Sequence, residues 1–271
     1  MIDLHVHTWH CRHAEGTVSE YVAVAAERGL STIAITDHLP LPPQLIERDP
    51  SVARYSMPES ELPDYVAEVL AAREASAASG GPEVLLGIEA DLYPGNEEFV
   101  RSLITQYPFD VVLGSVHFVD GWAFDDPDRK DGYAKWEVKN LWERYFDDLI
   151  VAAHAGLADV IGHADLVKKF GYVPEGDVLP LYRSVAAAFA LAGVAVEVNT
   201  AGLRKPCAEL YPSAPFLKEL FNAGVPVTIG SDAHAPIEVA SAYDDARGAL
   251  IEAGYRSAVV FRAHRAEEVP L

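Results

Sequence analysis

Residues 32–38 read TIAITDH, and this stretch contains the pattern that decides the fold: a short apolar and β-branched run followed by an acidic residue and a histidine, Asp37 and His38. A run of this kind, without alternation of apolar and polar residues, is typical of a strand buried on both faces of a parallel sheet. We predict such strands at residues 2–6, 32–36, 84–88, 110–114, 159–161, 194–198 and 226–229.

A longer segment with apolar residues at three- and four-residue spacing follows each predicted strand, as in an amphipathic helix. These segments are residues 18–28, 60–79, 96–107, 136–155, 178–192, 214–223 and 237–253. Strand followed by helix, repeated along the chain, predicts an α/β barrel formed by one domain over residues 1–271. An eighth apolar run, residues 258–261, either joins this barrel or packs outside it.

The formal net charge of −20 argues against proteins that bind long polyanions. Nucleic acid and anionic membrane surfaces would be repelled, so neither is an expected partner. A small phosphorylated substrate fits this charge only where local positive charge, such as bound metal ions, overrides it. Cys11 and Cys207 form no CxxC pair, and no long apolar segment occurs. We therefore expect a cytoplasmic protein without a membrane span.

Residue types that commonly bind metals lie at the ends of six of the predicted strands or just after them. Because the carboxyl ends of parallel barrel strands meet on one face, we expect these side chains to converge in one pocket. Histidine, aspartate and glutamate without cysteine suit zinc, manganese or iron. The residues are His5 and His7 with His13 just beyond, Asp37 and His38, Glu89, His117, His163, and Asp232 with His234.

A single histidine at a strand end is more often a hydrogen-bonded structural residue than a ligand. The prediction therefore depends on the fact that six strand ends all carry metal-binding residue types. His10, His154 and His264 lack this placement and are interpreted as surface or packing residues. Glycine-rich phosphate loops and a GxSxG motif are absent, so P-loop and serine-hydrolase chemistry has no support. Residues 39–58 and 119–133 follow strands on the same face and are predicted to form lids or substrate walls.

Four short motifs resemble those of the PHP superfamily: DLHVHT at residues 3–8, TDH at 36–38, VHF at 116–118 and GSDAH at 230–234. Other segments look specifically like histidinol-phosphate phosphatases. They are CRHAEG at residues 11–16, the region 108–118, GHADLVKKF at 162–170 and EVNTAGLRK at 197–205. An HxH pair alone would be a weak signal, but this ordered combination is specific and spans almost the whole chain.

The resemblance implies a distorted (β/α)7 barrel, TIM-like in architecture, with a site for three divalent ions of zinc, manganese or iron. It also implies hydrolysis of L-histidinol phosphate in histidine biosynthesis, through a hydroxide that bridges two metals. By the same resemblance the first ion is held by His5, His7, Glu89 and Asp232, the second by His13, His38 and His234, and the third by Glu89, His117 and His163.

Further roles are assigned from the same resemblance. Substrate contacts are expected from Arg204, Lys168, Lys169 and His117, although a solvated surface position is an equal alternative for each lysine. The residues expected to be catalytic are Asp232, Arg204 and His234, and Asp232 or a metal-bound water is the candidate proton donor to the leaving alcohol.

Three polar residues near strand ends have less certain roles. Asp37 is interpreted as a carboxylate that orients an imidazole, because ligating histidines commonly donate their second nitrogen to such a group. Glu197 and Asn199 also end a predicted strand, and their roles stay open.

Two alternative functions remain open at the level of sequence. A different PHP phosphoesterase, acting on mononucleotides or other small phosphomonoesters, would carry the same ligands. The net charge of −20 argues against long nucleic acids but not against a mononucleotide. A non-catalytic metal-binding module is disfavoured, because structural sites are closed by four protein ligands, whereas this ligand set implies an open position.

The ligand set predicts the metal content. We expect the protein to bind up to three divalent ions and to lose phosphatase activity on chelation, because the ions supply the positive charge that an acidic protein needs to bind phosphate. Elemental analysis together with activity before and after chelation tests this. Full activity in protein that contains no stoichiometric metal would contradict the metal-dependent mechanism.

Overall fold

A computed structural model describes residues 1–271, and its centre is a sheet of seven parallel strands. Each strand pairs with the next one of the barrel along the chain, as expected for repeated strand–helix units. In sheet order the strands are β1 (Ile2–Asp3), β2 (Thr32–Ile35), β3 (Glu83–Asp91), β4 (Val111–Ser115), β7 (Val160–Ile161), β8 (Ala195–Asn199) and β9 (Val227–Gly230).

Backbone hydrogen bonds between the first and last strands bring the two edges of the sheet together. The Leu4 amide donates to the Ile229 carbonyl at 2.9 Å, and the Asp232 amide donates to the His5 carbonyl at 2.8 Å. A parallel bridge between Val6 and Ala233 continues this contact beyond the ladders. The predicted barrel is confirmed, and its closure places the segments after β1 and β9 side by side.

Eight helices surround or flank the sheet, and most begin and end within a few residues of the predicted bounds. The first begins at a capping box, in which Thr17 and Glu20 satisfy each other's free backbone amides. The helices are α1 (Val18–Glu27), α2 (Pro43–Arg48), α3 (Leu62–Ser79), α4 (Glu97–Ile104), α5 (Val138–His154), α6 (Leu179–Ala192), α7 (Ala214–Ala223) and α8 (Tyr243–Ala253).

The last helix begins later than predicted. The sequence predicts a helix from residue 237, but Pro236–Glu238 form only a short 3-10 turn, and α8 begins at Tyr243. Ala240 and Ala242 lie between them with positive φ angles of 51° and 54°, a left-handed conformation that a continuous right-handed helix excludes. The prediction of a helix over residues 237–242 is therefore wrong.

The eighth apolar run packs outside the barrel. It forms β10 (Ser257–Arg262), which pairs antiparallel with β11 (Arg265–Pro270). The His264 amide in the turn donates to the Asp110 carbonyl at 2.9 Å, and Arg262 pairs with Glu83. Asp110 and Glu83 stand at the amino ends of β4 and β3, so this hairpin covers the end of the barrel opposite to the strand carboxyl ends.

The two irregular segments that follow strands lie against each other. The first contains α2, and the second contains a hairpin of β5 (Phe118–Val119) and β6 (Trp122–Ala123). Ion pairs join them, with Arg129 Nη1 2.6 Å from Asp49 Oδ2 and Arg54 Nη2 2.7 Å from Asp126 Oδ2. No helix in the structure combines the length and apolar character that crossing a membrane requires.

The contact of α3 with the barrel generates a stability prediction. The buried Tyr65 hydroxyl lies 2.8 Å from the Ile35 carbonyl oxygen and 2.7 Å from the Gly87 carbonyl oxygen, and so anchors the helix to β2 and β3. We expect Tyr65→Phe to lower the free energy of unfolding by about 1–2 kcal/mol, because a buried hydrogen bond is lost.

Urea denaturation of chelator-treated protein measures this change. Tyr107→Phe, at the edge of the same core, is the matched control and should change the stability by less than about 0.5 kcal/mol. Equal losses in both variants would show that the Tyr65 hydroxyl does not anchor the helix.

Candidate metal centre

All of the predicted ligands meet at the carboxyl ends of the barrel strands. Most of them line one cavity with a volume of about 330 Å³, whereas His5 and His7 lie fully buried beneath its floor. The ligands that line the cavity are His13, His38, Glu89, His117, His163, Asp232 and His234.

The first predicted group converges around the floor of the cavity. His5 Nε2 lies 2.9 Å from His7 Nε2, and each of these atoms is 3.4 Å from Glu89 Oε2. Asp232 Oδ1 lies 3.4 Å from His7 Nε2. Four potential ligand atoms therefore surround one point.

The second predicted group lies beside the first, nearer to the mouth. His234 Nε2 is 3.1 Å from His13 Nε2, and the ring centroids of His13 and His38 are 5.2 Å apart. His7, His38 and His234 also lie close enough for one ion to contact all three, so His7 stands between the two groups.

The third predicted group uses the other oxygen of Glu89. His163 Nε2 lies 2.9 Å from Glu89 Oε1, and His117 Nε2 lies 3.7 Å from the same atom. Because Oε2 faces the first group and Oε1 the third, the Glu89 carboxylate stands between two of the three predicted metal positions.

Hydrogen bonds on the outer nitrogens fix how several of these imidazoles face the centre. Nδ1 of His117 lies 3.0 Å from Asp91 Oδ1, and Nδ1 of His13 lies 2.8 Å from the Cys11 carbonyl oxygen. With the proton on Nδ1, each ring directs the Nε2 lone pair inward, as a metal ligand requires.

Asp37 does not contact an imidazole in the predicted way. It accepts hydrogen bonds from the Thr8 amide at 2.7 Å, from the Thr8 hydroxyl at 2.8 Å and from the Cys11 amide at 3.2 Å. The carboxylate therefore fixes the backbone between His7 and His13, and the interpretation that it orients a ring is wrong.

The donor set fits divalent cations. Two pairs of imidazole nitrogens approach within 2.9 and 3.1 Å, and Glu89 Oε2 is buried without a hydrogen-bond partner. Inward lone pairs at such distances repel one another, and a buried carboxylate oxygen without a partner is costly, unless a cation lies between them. Imidazole and carboxylate without thiolate suit zinc, manganese or iron.

Burial and neighbouring charges shift the pKa values of the predicted ligands in both directions. Burial raises the pKa of the Glu89 carboxyl, but the imidazoles of His5 and His38 outweigh it and hold this pKa well below its usual range. Burial, with repulsion from neighbouring imidazoles, holds the pKa of His38 and of His234 well below the ordinary histidine value. For His5 and His117 burial lowers the pKa, but nearby carboxylates outweigh it: Glu197 and Glu89 raise the pKa of His5 well above its usual value, and Asp91 and Glu89 raise that of His117 to about 10. A cation bound between these groups would displace the protons of the two rings.

Of the two lysines predicted to contact the substrate, only one lines the cavity. Lys169 lines the cavity, where its Nζ lies 3.0 Å from Asp125 Oδ2. Lys168 has a side chain only 3% exposed, and its Nζ lies 3.0 Å from both Asp165 Oδ2 and Glu209 Oε2. The side chains of Lys168 and Lys169 point in different directions, and that of Lys168 does not reach the cavity. The predicted substrate contact from Lys168 is therefore wrong.

Arg204 also points away from the cavity. Its Nη2 donates to the carbonyl oxygens of Ser231 at 2.9 Å and Asp232 at 3.2 Å, and its Nε lies 3.3 Å from Glu238 Oε1. The guanidinium supports the backbone that carries Asp232, and in this geometry it does not provide the predicted phosphate clamp. Its neighbour Lys205 lines the cavity instead.

The three histidines set apart from the ligands lie elsewhere, as predicted. Nε2 of His10 lies 2.8 Å from Glu68, and Nδ1 of His154 lies 2.9 Å from the Ile150 carbonyl oxygen. His264 is on the hairpin at the opposite end of the barrel.

Some cavity residues were not identified from sequence. Lys205 ends the motif at residues 197–205 but was assigned no role, Asp125 and Tyr55 fall in the segments predicted to be substrate walls, and Asp91 belongs to no motif. Asp91 lies two residues after Glu89 on the same strand, and the strand period would have placed it on the same face.

Comparisons with known proteins agree with this architecture. Residues 3–201 match the model of the PHP domain family. A relative from Deinococcus radiodurans, named probable histidinol-phosphatase, is 39% identical over 98% of this chain and 97% of its own length. The histidinol-phosphatase of Bacillus subtilis is 27% identical, with 89% of this chain and 96% of that protein covered.

A solved structure extends the comparison to the fold. Histidinol phosphate phosphatase from Lactococcus lactis, in complex with zinc, L-histidinol and phosphate, superposes with a TM-score of 0.80 at 20% identity over 98% of each chain. The chain belongs to the PHP domain family and, within it, to the histidinol-phosphatases. It is accordingly an enzyme of the phosphatase class.

The central position of Glu89 generates a prediction about metal binding. We expect Glu89→Gln to lower bound metal and phosphatase activity together, because a neutral amide removes the charge that two metal positions share. Elemental analysis and phosphate release measured on the same sample test this. Glu98→Gln, an exposed change on α4, is the matched control. Wild-type metal content in Glu89→Gln would remove Glu89 from the ligand set.

Proposed function

We propose that this chain hydrolyses L-histidinol phosphate to L-histidinol and phosphate, with three divalent ions held by the ligand groups described above. The observation that carries the proposal is the convergence of the whole predicted ligand set at the carboxyl ends of the strands, in one cavity and directly beneath it. The identity of 39% to a probable histidinol-phosphatase, over nearly the full length of both chains, supports the choice of substrate.

The charge of the cavity requires cations for this function. Its lining contains more carboxylates than lysines: Glu89, Asp91, Asp125, Asp126 and Asp232 against Lys169 and Lys205. A phosphate dianion would be repelled by this lining alone, whereas three divalent ions would add about six positive charges and reverse the sign. Such ions would supply Lewis-acid stabilisation of the phosphoryl oxygens and activation of water.

Residues of the chain provide a route for the proton. Burial raises the pKa of Asp232, but the imidazoles around it, with His5 first among them, hold this pKa well below its usual range. An ionised Asp232 can accept the proton that the attacking water releases as its oxygen bonds to phosphorus. As the bond between phosphorus and the ester oxygen breaks, the same carboxyl can return that proton to the leaving alkoxide. Asp232 is one of the two predicted donors, and a metal-bound water is the other.

The outer wall of the cavity presents two carboxylates that a positively charged substrate group could contact. Asp125 and Asp126 stand on this wall, on the side formed by the irregular segment after β4. Tyr55 donates a hydrogen bond to Asp126, and Lys169 pairs with Asp125. Arg54 also pairs with Asp126, so the two carboxylates of this wall are balanced by cations of the protein. The ammonium group of histidinol phosphate would have to compete with these cations for the carboxylates, and a mononucleotide presents no such group.

Substrate selectivity tests the proposal. We expect kcat/KM for L-histidinol phosphate to exceed that for AMP by at least about 100-fold, because polar groups of a dedicated site are left unpaired by the wrong substrate. Phosphate release from both substrates, measured with metal-loaded and chelated enzyme, gives the ratio and its metal dependence.

The same assay distinguishes the alternatives. Equal kcat/KM values for the two substrates would favour the phosphoesterase of mononucleotides and other small phosphomonoesters. Metal-loaded protein that hydrolyses no phosphomonoester would instead favour the non-catalytic metal-binding module.

A further inference from the structure

Glu197 and Asn199 stand two residues apart on β8, and the proposed reaction leaves both without a role. Both side chains are completely buried. Side chains two residues apart on a strand point to the same side, so both face the barrel interior beneath the metal ligands. They contact ligands that come from other strands.

Glu197 accepts hydrogen bonds on both carboxylate oxygens. Oε1 lies 2.8 Å from His5 Nδ1, while Oε2 accepts from the His163 amide at 3.0 Å and from Asn199 Nδ2 at 3.0 Å. Both oxygens of this carboxylate therefore serve as acceptors for groups of the metal site. A glutamine in this place would direct its NH2 group towards at least one of the three donors.

Asn199 extends the contact to a further ligand. Its Nδ2 also donates to Asp232 Oδ2 at 3.2 Å, which leaves Asp232 Oδ1 directed towards His7. Its Oδ1 accepts from the Ala201 amide at 2.8 Å, and this contact fixes the orientation of the amide group. The amide therefore links Glu197 to Asp232.

The neighbouring strand leaves room for this arrangement. A Cβ atom at Gly230 on β9 would lie 2.0 Å from Glu197 Oε1 and 2.6 Å from His5 Cβ. Any side chain at Gly230 would displace the carboxylate from His5. The absence of a side chain at Gly230 therefore leaves the space between β8, β9 and the segment after β1 that the Glu197 carboxylate occupies.

We infer that Glu197 and Asn199 are positioning residues that hold His5, Asp232 and the backbone of His163 as one preorganised set. The inference depends on the proposed metal-dependent function. Glu197 keeps the proton of His5 on Nδ1 and so leaves the Nε2 lone pair for a metal. His5 belongs to the first ligand group and His163 to the third, so one carboxylate links two metal positions.

Metal titration of chelator-stripped protein tests this role without reference to the substrate. In Glu197→Gln we expect the affinity for Zn²⁺, measured by competition with a chromophoric chelator, to fall about 10- to 100-fold at two of the positions. The visible absorption of bound Co²⁺, which reports the ligand geometry, should change as well. Asn199→Ala should show a smaller loss of the same kind.

Thr228→Val is the matched control, because Thr228 is buried on β9 and its hydroxyl has no hydrogen-bond partner. It should keep wild-type affinity and the wild-type Co²⁺ spectrum. Folded Glu197→Gln with both properties unchanged would overturn the positioning role. If Glu197→Gln does not fold, unchanged affinity in Asn199→Ala overturns it instead. Failure of the unaltered protein to take up metal would overturn the proposed function as well.

Discussion

The ionised carboxylate of Glu89, buried among imidazoles at the carboxyl ends of the strands, is the interaction on which the rest of the site depends. Its Oε2 lies 3.1 Å from His38 Nδ1 and 3.4 Å from His5 Nε2, and its Oε1 accepts from the Ser115 hydroxyl at 2.6 Å. A buried charge is costly without compensation, and the surrounding imidazoles provide part of it. Bound cations would complete the compensation, so folding and metal binding should be linked.

This constraint divides the barrel into two ends with different chemistry. One end is filled by ligands and by the carboxylate and amide groups that orient them. The other end is covered by the hairpin β10–β11, whose apolar residues 258–261 belong to a cluster of 20 buried residues that also contains Leu85, Val111 and Ala195. Apolar packing at one end can therefore stabilise the barrel, while the other end holds polar groups that a folded apolar core would exclude.

The positive side chains illustrate how the surroundings decide the role of a residue type. Lys168 and Lys169 are adjacent, yet one is enclosed by Asp165 and Glu209 while the other faces the cavity. Arg204 and Lys205 are also adjacent: Arg204 contacts backbone carbonyls and Glu238, while Lys205 lines the cavity. In an acidic protein, a lysine or arginine can form ion pairs with nearby carboxylates and so take a structural role. Which of two adjacent cationic side chains lines the cavity depends on the folded arrangement.

The barrel, the family resemblance and nine candidate ligands were predicted from the sequence alone. This was possible because strand and helix periodicity are local properties, and because the ligands stand at strand ends that a parallel barrel brings together. The packing of residues 258–261 outside the barrel and the contacts of Asp37 with a loop became evident only from the folded structure. It alone showed that Glu197 contacts His5, 192 residues away in sequence. Such contacts depend on barrel closure and on side-chain direction, which residue type and spacing do not specify.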